Sequence, residues 1–335
     1  MSAILLVVIV TLVILLLAAI FGLYQKNYNV LCKSKKRLDG RTVLITGGTS
    51  GMGIEIATDL AARGARVIIA CPFREEGERA REAIVEESGN DNVVFKLLDL
   101  ACLDSVRKFA ANILNTEQRL DRLLNNAGVG IPGDFQTADG LNFIMQVNYF
   151  GHFLLTLLLL PLLRKTGTPT EKSRIINTSS ILHRIGRVDI ENMNKVGHYW
   201  SKIQIYGNSK ICLVLFSREL TRRLKEIEAN VVINSLDPGA VGTRIFDQCG
   251  WMRGHLITFF YGWFCKSPFE GAQTAIHMAL DDKAGNVSGE FFKDCDLYPA
   301  AGSACNDVTA KELWDASVRL VNMSDDEIRQ SFKPL

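Results

Sequence analysis

A tyrosine four residues ahead of a lysine, Tyr206-Gly207-Asn208-Ser209-Lys210, is the part of this 335-residue chain whose residue types and spacing hold the most chemistry. On a helix that spacing stacks the two side chains on one face, one turn apart. An ammonium held beside a phenol favours the phenolate, which predicts a tyrosine pKa lowered toward neutrality. A tyrosine tuned in this way can give or take a proton at an alcohol or carbonyl. The spacing also describes any chance pair on a helix surface, so its meaning depends on the elements around it.

Those elements follow a regular rhythm from Arg41 onward. Apolar runs at Thr42 to Thr46, Val67 to Ala70, Val93 to Leu97, Leu123-Leu124, Arg174 to Asn177 and Val231 to Leu236 read as strands. Ile54 to Arg63, Glu75 to Glu87 and Glu270 to Leu280 read as helices, and Val287 to Phe292 as a last strand. Strand, helix, strand at this interval predicts an α/β fold, a doubly wound parallel sheet of Rossmann type in one domain. The first strand runs into Thr46-Gly47-Gly48-Thr49-Ser50-Gly51-Met52-Gly53 at the start of the first helix. Glycines there let the backbone turn and approach a diphosphate, while the helix start offers free N–H groups. A glycine-rich turn with no ligand is the plain alternative.

Taken together these motifs resemble the short-chain dehydrogenase/reductase superfamily. The loop from Thr46 to Gly53 is similar to its cofactor loop, and Asn125-Asn126-Ala127-Gly128 to its Asn-Asn-Ala-Gly segment. Asp99 resembles the acid that contacts the adenine, and Asn148, Ser180, Tyr206 and Lys210 match the catalytic tetrad. Pro238-Gly239-Ala240-Val241-Gly242-Thr243 is similar to the segment near the nicotinamide. The motifs occur in the family's order between about residues 41 and 300. Ala70-Cys71, the stretch Asn148 to Thr156 and the long insert before Tyr206 most resemble membrane-bound retinol dehydrogenases. The resemblance implies that Tyr206 transfers the proton and Ser180, rather than Ser179, binds the substrate oxygen. It implies that Lys210 tunes the phenol and holds the nicotinamide ribose, and that Asn148 holds a water linking Lys210 to solvent. Capping for Ser180 and a kinked helix for Asn148 are the bland alternatives.

Cofactor choice turns on the end of the second strand, Cys71-Pro72-Phe73-Arg74. An acid there would bind the ribose hydroxyls of NAD, and a basic group would accept a 2′-phosphate. No acid follows the strand directly, and Pro72 replaces the arginine expected after Ala-Cys. Arg74, helped by Thr49 or Ser50, therefore predicts NADP(H) over NAD(H).

Ser2 to Tyr24 is uncharged and almost wholly apolar, long enough to cross a bilayer as a helix. Lys26, Lys33, Lys35, Lys36 and Arg37 follow it and no basic side chain precedes it, which places the domain in the cytosol. The expected organisation is an anchor over 1–25, a basic linker over 26–40, the dehydrogenase domain over 41–300 and an extension over 301–335. The organelle that fits is the endoplasmic reticulum. Overall charge is balanced, 38 basic against 36 acidic residues, with no nucleic-acid footprint. The eight cysteines lack metal-ligand spacing and read as reduced, mostly buried thiols, with no metal expected. The glycosylation-type triplets at Asn177, Asn286 and Asn322 are then silent.

Residues 246–269, rich in aromatic and apolar side chains, suit a lid over a greasy substrate. His183 and His198 read as solvated or at the substrate mouth. The expected activity is interconversion of a lipophilic alcohol and its aldehyde or ketone, with retinol and retinal leading. Steroids, prenyl alcohols and lipid aldehydes are rival substrates. An idle nucleotide-binding sensor or scaffold is the rival of another class, and an oligomer is compatible with either.

Overall fold

The structure, a computed structural model, describes residues 30–130, 132–199, 201–242 and 265–333, with scattered positions between 5 and 20. Seven parallel strands form one sheet: β1 (Thr42–Thr46), β2 (Arg66–Cys71), β3 (Val93–Leu97), β4 (Arg122–Asn125), β5 (Ser173–Thr178), β6 (Val231–Asp237) and β7 (Phe291–Lys293). Their order is β3-β2-β1-β4-β5-β6-β7, and β8 (Asp296–Leu297) closes the edge antiparallel to β7. Order therefore reverses between β1 and β4, the crevice where sheets of this kind bind ligands.

The inner strands β1, β4, β5 and β6 are buried along their whole length and carry apolar residues in their middles because both faces are covered. In β1, Leu44 faces one core while Val43 and Ile45 face the other. The helices α1 (Gly51–Ala62), α2 (Arg74–Ser88) and α6 (Pro268–Leu280) cover one side. On the other lie α3 (Leu103–Thr116), α4 (Phe143–Thr166) and α5 (Lys202–Glu226), with α7 (Asp307–Leu320) and α8 (Asp325–Phe332) packed outside them. One face of this C-terminal stretch thus contributes to the core. Trp314 is buried against Phe153 (5.2 Å between ring centroids) and Phe216, with the Arg223 guanidinium over its ring at 4.1 Å.

Helix α4 is apolar and long enough to cross a membrane, the one such helix among the described residues, yet most of it is buried inside the domain. It is a core helix. The described positions of the N-terminal run, Leu5 and Leu12 among them, are helical and exposed.

Three sequence expectations change. The last strand begins at Phe291, not Val287, because Asn286 to Gly289 turns first, with Gly289 at φ +82°. There Val287 and Ser288 tie to β6 through their carbonyl and hydroxyl groups instead of pairing as a strand. Phe269 belongs to α6, which starts in a reciprocal Ser267–Glu270 cap, while 243–264, most of the expected lid, lie outside the described residues. Of the described cysteines, all free, only Cys71 and Cys212 are buried and Cys305 is exposed. Asn177 is fully buried in β5 and bonded to Asn125 and Ser217, so no sugar could be attached there.

Candidate active site

After Thr46 the chain turns through Gly47 (φ +64°) and Gly51 (φ +54°) into α1. A Cβ at Gly47 would stand 2.8 Å from the Ala127 backbone, and one at Gly53 1.9 Å from the Gly47 carbonyl oxygen. No side chain fits, so the backbone itself lines the turn. Ser50, exposed at the helix N-cap, makes no side-chain capping bond, leaving the first-turn N–H groups without that cover. Thr46 Oγ1 accepts the N–H groups of Asn126 and Ala127, both at 3.0 Å. Asn126 Nδ2 donates in return to the carbonyls of Thr46 (3.1 Å) and Gly47 (3.3 Å). This lattice joins the ends of β1 and β4 across the switch point. Asn126 Oδ1 is a buried acceptor with no protein partner, a loss of about 1–3 kcal/mol unless a ligand supplies a donor. A backbone-lined turn, a helix start and an orphaned acceptor fit the diphosphate end of a nicotinamide dinucleotide.

The other half of the site stands at the ends of β5 and β6. Strand β5 ends at Thr178, and Ser180 caps the short 3-10 turn Ile181–Arg184, its Oγ accepting from Leu182 N–H at 3.2 Å. Ser179 points away and donates to the Lys210 carbonyl at 2.8 Å, fully committed to packing. From α5, Tyr206 brings its phenol beside the Ser180 hydroxyl, and Lys210 Nζ lies 5.4 Å from the centre of the tyrosine ring.

The expected acidification of the phenol is not found. Burial dominates and pushes Tyr206 up to about 12, although its side chain is only half-buried by area, and the Ser180 hydroxyl works the other way. Lys210 sits over the ring face rather than at the hydroxyl, and donates to the Thr178 carbonyl at 2.9 Å. Its own burial lowers it to about 8. The i, i+4 spacing fixes which face the pair shares; it does not fix which atoms meet.

Asn148 lies in a π-helical turn of α4, Gln146–Phe150, and is fully buried. Its Oδ1 accepts from Val129 N–H (2.8 Å), and its Nδ2 donates to the Val129 carbonyl and the Ser209 hydroxyl, both at 3.0 Å. A Cβ added at Gly128 would stand 3.4 Å from both Asn148 Oδ1 and Lys210 Nζ, so the two polar atoms converge there.

Other expected positions are more dispersed. Met52 packs toward Gly271 on α6. Asp99 Oδ1 closes a local turn by accepting from Ala101 N–H at 2.8 Å. Buried Pro238 is followed by Gly239 at φ +83°, and Thr243 lies outside the described residues. Arg74 is exposed at the start of α2. Thr49 is buried and donates to Glu76 Oε1 at 2.6 Å, so its hydroxyl is already engaged.

Four residues carry more of the site than their sequence context revealed. Asp237 Oδ1 accepts from Ile181 N–H (3.0 Å) and Gly239 N–H (3.1 Å), tying the serine turn to the Pro-Gly segment. Its place just before Pro238-Gly239 was the available signal. His152, kept neutral by burial that lowers it to about 4, bridges Thr46 Oγ1 (2.9 Å) and the Asn148 carbonyl (3.1 Å). His183 is neither solvated nor at a mouth. It is buried, with Nδ1 toward the Ser180 carbonyl (2.7 Å) and Nε2 accepting from Ala301 N–H (3.0 Å). His198 is exposed and stands 3.8 Å from Asp189. Glu76 is the fourth, since its carboxylate reaches the cofactor turn from the next helix.

The family model described as short chain dehydrogenase matches residues 41–252. The chain belongs to this family. It is 38 % identical over 296 residues to human "Retinol dehydrogenase 11", covering 88 % of this chain and 90 % of that protein. To Bos taurus "Dehydrogenase/reductase SDR family member 13" it is 40 % identical over 304 residues, covering 90 % and 78 %. To human "Retinol dehydrogenase 13" it is 37 % identical over 307 residues, covering 90 % and 91 %. Among solved structures it is similar to the Pseudomonas aeruginosa RhlG/NADP active-site complex, at 26 % identity and a TM-score of 0.60, covering 76 % of this chain and 95 % of that one. As a short-chain dehydrogenase the chain is an oxidoreductase of the class that binds nicotinamide cofactors, most similar to the retinol dehydrogenases.

Proposed function

We propose that this dehydrogenase is a membrane-anchored, NADP(H)-linked oxidoreductase that interconverts a lipophilic alcohol and its aldehyde or ketone, with retinol and retinal as the leading pair. The observation that carries the reading is the meeting of Ser180, Tyr206 and Lys210 at one end of the sheet, beside a turn lined only by backbone. The bound cofactor supplies or accepts the hydride. Tyr206 gives the proton to the substrate oxygen in reduction and takes it in oxidation. The Ser180 hydroxyl holds that oxygen and stabilises charge developing on it. Lys210 stands behind the phenol and holds the cofactor ribose. Asn148 positions the Val129 segment and Ser209 beside Lys210, and its carbonyl or the free lone pair of Oδ1 is where a relay water would bind. Gly47, Gly51, Gly53, Asn126, Ala127 and Gly128 would cradle the diphosphate side, Asp99 would meet the adenine, and Pro238 to Gly242 would lie along the nicotinamide.

The substrate class is supported by the likeness to proteins named retinol dehydrogenases. NADP(H) is supported by Arg74, free of an acid at the strand end, and by the NADP complex of a structural relative. NAD(H) is a second reading favoured by one contact, because Glu76 on Thr49 places a carboxylate against the cofactor turn, where a 2′-phosphate would be repelled. For the membrane, the uncharged run Ser2 to Tyr24 and the basic residues after it support a single span in the endoplasmic reticulum with the domain in the cytosol.

The test is a substrate screen on membranes from cells expressing the chain, with NADPH and NADH offered separately. The expected result is reduction of retinal faster with NADPH, absent from membranes carrying Tyr206→Phe. Turnover that survives this substitution would sink the mechanism, and faster reaction with NADH would replace the first cofactor reading by the second. Protease added to intact microsomes should digest the domain; a protected domain would reverse the orientation.

A further inference from the structure

Residues 30–40 are not a free tether. Cys32, Ser34 and Lys36 are half-buried and Leu38 buried, while Leu31, Lys33, Lys35 and Arg37 between them are exposed, the period-2 alternation of an extended strap. Cys32 N–H donates to Gln273 Oε1 (3.0 Å), and Arg63 Nη1 donates to the carbonyls of Ser34 (2.8 Å) and Lys36 (3.2 Å). Lys36 Nζ reaches Asp282 at 2.8 Å, and Leu38 N–H donates to the Arg63 carbonyl at 2.8 Å. At the start of the strap the Cys295 thiol faces the Val30 carbonyl at 3.6 Å.

Around that point the surface turns apolar. Val30, Leu31, Phe269, Leu297 and Tyr298 are each 40 to 52 % exposed. Bonds through their neighbours link them: Gln273, which holds Cys32, also donates to the Phe269 carbonyl, and Cys295, whose thiol meets Val30, leads into β8 with Leu297 and then Tyr298. The Tyr298 ring is flanked by Arg184 (5.6 Å) and Lys293 (5.3 Å), an amphipathic tyrosine beside cations as favoured at headgroup level. Asp294 and Asp296 are the opposing charges at this turn. The same segment continues to the site. Arg184 donates to the Pro299 carbonyl at 2.6 Å, Ala301 donates to His183 beside Ser180, and Asp294 pairs with Lys266 next to Gly239.

We propose that this face rests on the bilayer, so that the serine turn and Pro-Gly segment open at the membrane surface and a lipophilic substrate reaches them without crossing water. The inference relies on residues 2–24 being the membrane span. Only Gln25 to Asn29 separate that run from Val30, and five residues reach at most about 18 Å even when fully extended. A strap bonded to the domain from Val30 onward then holds the apolar patch toward the membrane, with the exposed Lys33 and Arg184 placed for lipid phosphates.

The test is photo-crosslinking of the full chain in lipid nanodiscs, with benzoylphenylalanine in place of Leu297. Leu114, comparably exposed on α3 near the opposite edge of the sheet, is the control site, and Phe269 is a second test site should the Leu297 variant not fold. Lipid adducts should form at 297 or 269 and stay at background at 114. Equal or absent labelling in a chain that resists alkaline carbonate extraction would overturn the docked face and leave the span standing. Release by carbonate would instead remove the span itself.

Discussion

The turn over residues 46–53 and the cluster of Ser180, Tyr206 and Lys210 stand at the same end of one sheet and are held by different physics. The turn is a matter of shape. At Gly53 even one methyl group would overlap the Gly47 carbonyl, and the contacts to Asn126 and Ala127 are made by backbone atoms and one threonine hydroxyl. The cluster is a matter of burial and protonation. Its tyrosine is pushed up and its lysine down by the same removal from water. Substitutions that change shape should therefore damage the first region, and substitutions that keep shape should still disable the second.

The largest expected effect tests the second half of that contrast. Tyr206→Phe keeps the ring and should lower turnover by about two to four powers of ten. Cofactor affinity and the melting temperature should hardly move. A parallel loss of cofactor binding would show that the two regions are not separable in this way.

Lys210→Met sharpens the point, because it removes a buried charge while keeping the side chain's length. A lysine whose pKa falls from its ordinary 10.5 to about 8 on folding makes the unfolded chain bind more protons between those values. Wild-type stability should then rise with pH across that window, by about 3 kcal/mol in all from this group. The Met variant should lack that rise, be at least as stable at pH 7, and still lose turnover. Thermal melts in detergent at pH 7 and pH 10 would show it, and an equal pH response in both proteins would refute it.

Gly53→Ala removes no chemical group, yet should cost about 1–3 kcal/mol of stability and weaken cofactor binding by a comparable factor. Titration of cofactor fluorescence with the variant measures it, and wild-type affinity would mean that the turn can relax. The smallest effects belong at the border of the two regions. Arg74→Ala should narrow a preference for NADP(H) by about tenfold, the worth of one exposed charged contact, and Glu76→Gln should widen it by a similar factor or less. Unchanged ratios in both would remove both residues from cofactor choice.

Much of this was legible in the chain. Strand β1 falls on the residues that its apolar run indicated, because a buried parallel strand has little freedom in composition, and the half-buried edge strand β3 falls on its run as well. The glycine turn was readable because it depends on backbone, and only glycine fits there. The order of motifs along the chain singled out Asn148, Ser180, Tyr206 and Lys210 as candidates, and in the structure the last three lie together. The histidines were not readable, since a buried imidazole with two backbone partners and a solvated one have the same local sequence. Nor was the role of Glu76, whose partner Thr49 is 27 residues away.

By itself, then, the sequence determined the alternation of strand and helix, the backbone-lined turn and which side chains are candidates for proton transfer. These are local properties, set by periodicity, by the absence of a side chain and by residue type. Only the tertiary structure decided which atoms of Tyr206 and Lys210 face each other, that burial outweighs their mutual charge effect, and that Asp237 joins the serine turn to the Pro-Gly segment. It also decided that residues 30–40 are bonded to the domain and bring Val30 to the β7–β8 turn. Those outcomes depend on dielectric surroundings and on contacts between residues far apart in the chain, and neither is written in the spacing of a motif.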